Sequence, residues 1–114
     1  MKMIDAYDFG RIVINEKTFT SDVIIFPDRV EADWWRKDGH VLHIEDVESI
    51  VKEKPEVLIV GTGKYGVMTV PSQTREWIES NGIELIVEPT DHACKVYNEV
   101  SKAKKVVAAL HLTC

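Results

Sequence analysis

Apolar positions along the chain fall into short runs bounded by glycine, proline or charge. The one that organises the rest is Val57-Leu58-Ile59-Val60, which runs straight into Gly61-Thr62-Gly63-Lys64-Tyr65-Gly66. A short all-apolar run predicts a buried strand flanked by parallel neighbours. The glycines after it permit a sharp turn and leave amide N–H groups open. Downstream, strand and helix alternate: Val67–Val70 extended, a helix opened by Pro71 over Ser72–Asn81 with Trp77 and Ile78 inward, and a strand at Ile83–Val87. A helix follows from Asp91, capped by Thr90, with Ala93, Val96, Tyr97 and Val100 as its buried stripe, and then a strand at Val106–Leu112. Alternation with short connections predicts right-handed parallel crossovers.

The first half is strand-rich. Phe9–Ile14 and Thr18–Phe26 are β-prone, with Asn15-Glu16-Lys17 as the turn between them and Pro27 as the stop. Arg29–Asp33 reads as a short edge strand, His40–Ile44 as another strand, and Ile44–Val51 as a helix with apolar positions 44, 47, 50 and 51, stopped by Pro55. The expected fold is a three-layer α/β domain with a mixed central sheet, helices on one side and an N-terminal hairpin with extra strands on the other.

At 114 residues the chain fits one domain, 1–114, that can bury a core without staples. A net charge of −5 argues against nucleic acid or an anionic membrane as partner. No apolar run reaches the roughly 18 residues of a membrane span. Cys94 and Cys114 make no disulfide framework, which fits a reducing compartment. Met1–Ala6 is too short and polar for a targeting peptide, so a cytoplasmic location is expected.

Tyr7-Asp8-Phe9-Gly10, Ser21-Asp22-Val23-Ile24-Ile25, Trp34-Trp35-Arg36, Gly61-Thr62-Gly63 and Leu110-His111-Leu112-Thr113-Cys114 together span nearly the whole chain. On these residues it resembles a small α/β family of archaea, bacteria and mitochondria. That family includes the adipogenesis-associated domain protein and a respiratory complex I assembly factor. The resemblance implies the mixed sheet above and no particular activity. Its eukaryotic members act through other proteins, which implies an assembly-factor-like role.

Four constellations bear chemistry. Gly61-x-Gly63-x-x-Gly66 matches the dinucleotide fingerprint, but that mechanism needs a helix opening at the glycines, and here Val67–Val70 is extended before Pro71. No nicotinamide or flavin cofactor is expected. Two readings stay open: a tight turn that needs glycine dihedrals, or a nest over Thr62–Gly66 that holds a small anionic ligand beside Lys64 and Tyr65. Arg29, Trp34, Trp35 and Arg36 form the second group. Adjacent tryptophans on extended backbone face opposite ways, so one is available to a binding surface, where Trp and Arg are common anchors. The third is His40-x-x-His43 with His111-x-x-Cys114, four soft ligands of weak zinc type; residues at i and i+3 of a strand diverge, and no structural metal is expected. The fourth is nucleophilic. Cys94 reads as a small core residue, and Asp22 as a buried carboxylate that caps a turn or pairs with Arg29. No catalytic set is complete. The favoured reading is a protein-binding or self-associating module using the Trp/Arg surface. The alternative is a small-molecule or anion site, open to enzymatic use, at the strand ends where Gly61-Thr62-Gly63, Glu88-Pro89-Thr90 and His111 converge.

Overall fold

The computed structural model describes residues 2–114; Met1, the first residue of the Met1–Ala6 stretch, lies outside them. Strands β1 (Ile4–Asp8), β2 (Arg11–Ile14) and β3 (Lys17–Phe19) form an antiparallel sheet in that order. Asn15 and Glu16 both have positive φ, 48° and 68°, the mirror-turn geometry that suits a two-residue hairpin between β2 and β3. Strands β4 (Val23–Ile25), β5 (Val30–Glu31), β6 (Val57–Thr62), β7 (Glu84–Glu88) and β8 (Val106–His111) form the central sheet, ordered β5-β4-β8-β6-β7. In it β6 runs parallel to β7 and β8, whereas β4 is antiparallel to β5 and β8.

Every residue of β6 and β8 is buried, as an all-apolar run inside a sheet requires. Side chains alternate between two cores. Val57 and Ile59 pack with Ala108, Leu110 and helix α3 (Thr90–Val100) on the face covered by the small sheet. Leu58 and Val60 pack with Val107 and Ala109 against Ile50 of α1 (Glu48–Lys52) and Ile78 of α2 (Ser72–Ser80) on the other. Thr90, Ala93, Cys94 and Tyr97 are the buried positions of α3, and Val96 and Val100 of the expected stripe are half-buried against the same core.

The three-layer mixed-sheet architecture is the one the sequence predicts, with one difference: α3 lies on the face of the extra strands, not with α1 and α2. The strand order explains it. From β6 the chain steps to β7 at the edge, then returns past β6 to β8. Right-handed crossovers taken in opposite directions put their helices on opposite faces. Two further expectations shift. The stretch 18–26 breaks into β3 and β4, which belong to different sheets, and β1 is an additional strand. His40–Ile44 contributes only isolated bridges at Val41, and the helix expected at 44–51 divides into a 3-10 turn at Ile44–Asp46 and α1. No helix among the described residues is long and apolar enough to cross a membrane.

The glycine run turns for a specific reason. Gly63 has φ +102°, and a Cβ there would stand 2.5 Å from the carbonyl carbon of Cys114. The end of the chain is laid directly across this glycine. Gly63→Ala should therefore destabilise by about 1–3 kcal/mol, since both backbone strain and a backbone clash oppose it. Gly39→Ala, which has open space, should be nearly silent. Urea denaturation of both variants checks the contrast.

Candidate functional site

The carboxyl ends of β6, β7 and β8 come together as expected, and they close on one another. Thr90 Oγ1, fully buried, donates to the His111 carbonyl at 2.6 Å and accepts from Gly63 N–H at 2.8 Å. Thr62 Oγ1 donates to the Glu88 carbonyl. The loop amides are engaged as well. Lys64 N–H donates to Thr113 O, Gly66 N–H to Gly63 O, Val67 N–H to Cys114 O and Met68 N–H to Thr62 O. Gly61 has no room for a side chain, because a Cβ would meet Thr90 Oγ1 at 2.8 Å and Leu110 at 2.9 Å. The loop thus serves as a seat for the last residues of the chain. Its outward side chains are Lys64, which pairs with Asp8 at 3.2 Å, and Tyr65, which is largely exposed beside the half-exposed Phe9.

A buried polar cluster lies at the end of β8. Asp22 Oδ2 is 2.8 Å from His111 Nδ1 and 2.9 Å from Arg36 Nη1, while Asp22 Oδ1 accepts the Leu112 N–H at 2.8 Å. A carboxylate only accepts, so Nδ1 of His111 carries its hydrogen and donates to Asp22. Arg36 Nη2, 3.0 Å from the same nitrogen, can only donate; that contact is charge proximity, not a hydrogen bond. Nε2 of His111 is buried with no partner. Burial works to raise the Asp22 pKa but is outweighed by His111, the Leu112 N–H and Arg36, so the carboxyl is held below its ordinary value of 3.8.

Beside His111 the structure gathers ligand-type atoms. His40, His111 and Cys114 each offer one within 4.8 Å of the others, and Cys114 Sγ lies 3.8 Å from His40 Nε2. His43 is not of this group; it precedes the 3-10 turn, where its backbone N–H donates to Asp46. Cys114 lies beyond β8, so strand alternation does not separate it from His111. Cys94, on α3, is a core thiol pushed up to about 12 by burial and then by Asp91, which removes it as a nucleophile.

The aromatic pair divides as backbone alternation demands. Trp34 is buried, its Nε1–H donating to Asp46 O at 3.3 Å, and Trp35 is 77% exposed. Arg36 turns inward, its side chain only 5% exposed, and stacks 4.6 Å from the Trp34 ring. Of the expected Trp/Arg group, Trp35 is exposed and Arg36 is not. Arg29 stands apart, over the Phe26 ring and bridged to Asp28 and Glu31. Asp22 pairs with Arg36, not Arg29. Its partners lie 14 and 89 residues away, and sequence spacing gives no sign of either. A cleft of 620 Å³ opens beside Trp35, lined also by Trp34, Ile24, Glu31, Asp33 and Glu45.

A family model described as "Protein of unknown function (DUF498/DUF598)" matches residues 4–111. Among solved structures, a conserved hypothetical protein from Pyrococcus horikoshii OT3 is 31% identical, with TM-score 0.84 over 97% of this chain and 98% of that one. The protein MT938 is 30% identical, with TM-score 0.82 and full coverage of both chains. A Bordetella pertussis protein described as a Mth938-like domain, 21% identical, shares the fold at TM-score 0.65 over 97% of this chain and 85% of that one.

Because the Asp22 pKa is depressed in the folded state, its contribution to stability is fully present above the unfolded value and disappears as pH falls through the folded one. The unfolding free energy should decline below about pH 4. Asp22→Asn should flatten that decline and cost about 3 kcal/mol at neutral pH, since it leaves the Arg36 guanidinium buried without its counter-charge. Urea melts of both proteins at pH 7 and in the acid range provide the check; equal acid slopes would assign the decline to other carboxylates.

Proposed function

The chain belongs to the DUF498/DUF598 family of proteins of unknown function, and on that premise we propose that it is a protein-binding module whose contact surface is Trp35 and the cleft beside it. The observation that carries this reading is the exposure of Trp35, at 77%, at the edge of a cleft large enough for side chains of a partner. An indole left in water forgoes about 1.5–3 kcal/mol of burial, and tryptophan is the residue most enriched at binding hot spots. Beneath it the surface is fixed: Trp34 is anchored in the core and Arg36 in the Asp22 cluster, so Trp35 is presented from a rigid base.

The cleft also sets the chemistry of the partner. Glu31, Asp33, Glu45 and Asp46 line it against one lysine, Lys37; Glu31 is engaged by Arg29 and Glu45 faces Lys37 at 3.8 Å, both pairs at the surface. The short edge strand β5 borders it and has strand partnership on one side only, with β4. An extended, basic polypeptide segment fits both features, with main-chain pairing at the edge and a cation facing the acids. The alternative, a small anion held by the Gly61–Gly66 loop, has less support, because the amides of Gly63, Lys64, Gly66, Val67 and Met68 already have acceptors within the chain.

Trp35→Ala should leave the unfolding free energy within about 0.5 kcal/mol of wild type, as an exposed residue would, yet abolish capture of a partner from native cell extract. Asp33→Lys/Glu45→Lys should weaken the same capture in a salt-dependent way. Undiminished capture by Trp35→Ala would place the contact surface elsewhere.

A further inference from the structure

We propose that His40, His111 and Cys114 form a three-ligand site for a borderline-soft transition-metal ion, with zinc(II) as its representative and Asp22 as the carboxylate behind His111. The site is separate from the Trp35 surface and does not rest on that reading.

Three independent features converge. The first is the ligand set itself, two imidazoles and a thiol, the donors that such ions prefer. The second is spacing. A tetrahedral ion bonded to nitrogen and sulfur sets a ligand-to-ligand edge of about 3.5 Å. The Cys114 Sγ to His40 Nε2 distance is 3.8 Å, and no separation in the set exceeds 4.8 Å. His40 is exposed, so rotation of its side chain can close the remainder. The third is His111. Its side chain is 7% exposed, its Nδ1 is committed to Asp22 at 2.8 Å, and its Nε2 is buried without a partner. A buried polar nitrogen without a partner is costly, and a metal ion on Nε2 would satisfy it. Donation from the other ring nitrogen to a carboxylate is the usual support of a metal-bound histidine, since it fixes the tautomer and raises ligand basicity. Here that carboxylate is already in place, and Arg36 offsets its charge.

The chain end is held for this role. Val67 N–H donates to Cys114 O at 3.0 Å, Lys64 N–H donates to Thr113 O, and the close approach at Gly63 leaves Cys114 little freedom. Three protein ligands leave a fourth position for water or an incoming group, the pattern of open rather than closed sites. His43 lies outside this set, so the chain offers three ligands among the described residues, and folding should not depend on the ion.

Cobalt(II) is the probe, because thiolate coordination gives it a charge-transfer band and tetrahedral geometry intensifies its visible bands. The chelator-treated, reduced full chain should bind one equivalent with both signatures, and zinc(II) should displace it. Cys114→Ser should lose the charge-transfer band, and His40→Ala should weaken binding at least tenfold; both sites are at the surface, and unchanged thermal melts would confirm the fold. Asp22→Asn should weaken binding about 10- to 100-fold while keeping the thiolate band. Cys94→Ser should change neither signature nor affinity. A wild-type chain without the charge-transfer band, or a band that His40→Ala leaves at full affinity, would overturn the site and reduce the metal to incidental binding by a terminal thiol.

Discussion

The Asp22 carboxylate is the constraint on which the rest of this end of the molecule depends. It stands just before β4, yet it accepts from His111 and Leu112 at the exit of β8 and carries the charge opposite Arg36. Three segments far apart in sequence are thereby fixed at one point. The backbone adds a fourth tie, since Trp34 N–H donates to Asp22 O at 2.9 Å. A buried arginine and a partly buried aspartate are expensive to desolvate, so the arrangement is tolerable only while all partners are present. The cluster therefore specifies geometry more than it adds stability.

That geometry decides what reaches the surface. With Trp34 in the core and Arg36 drawn to Asp22, the residue between them has to point away, because alternate side chains on extended backbone face opposite ways. The exposure of Trp35 follows from the burial of its neighbours. Asp33, immediately before, takes a positive φ of 56°, a conformation aspartate tolerates better than most residues, and this turns the chain out of β5 into the loop. Sheet edge, turn and inward arginine together position one indole beside an acidic cleft.

Much of the fold was legible in the sequence, because it rests on local periodicity and punctuation. The buried β6 run, a hairpin turn within Asn15-Glu16-Lys17 (Lys17 already belongs to β3), the helix after Pro71 and the strand–helix–strand alternation are all present in the structure. What was illegible depends on partners remote in sequence. Val23-Ile24-Ile25 could not be separated from β3 by composition, since the break at 20–22 exists to bring Asp22 to His111. The placement of α3 required the strand order. The glycine run resembled a ligand cradle because its amides looked free; their acceptors are Thr90, two carbonyls of the loop itself, and Thr113 and Cys114, about fifty residues away in sequence. Two backbone hydrogen bonds, from Lys64 N–H to Thr113 O and from Val67 N–H to Cys114 O, hold this segment down. Of the paired soft ligands, His111 and Cys114 do meet, and His40 joins them from a turn, where the alternation rule that separates i from i+3 does not apply.

The surface and the buried cluster share one lever, and this determines which substitutions can tell them apart. Arg36 lies 4.6 Å from the Trp34 ring and 3.0 Å from His111 Nδ1, so it is the physical link between the loop that carries Trp35 and the imidazole at the end of β8. Any change at Asp22 or Arg36 must disturb both, by freeing the loop on one side and the ring on the other. Trp35 and Cys114 lie at the outer ends of this chain of contacts. Truncating Trp35 removes apolar surface without touching the ion pair, and replacing Cys114 removes a thiol without touching the loop. Effects found at Trp35 alone therefore report on the proposed contact surface, effects found at Cys114 alone report on the proposed ligand set, and effects common to Asp22 and both ends measure the stiffness of the connection between them.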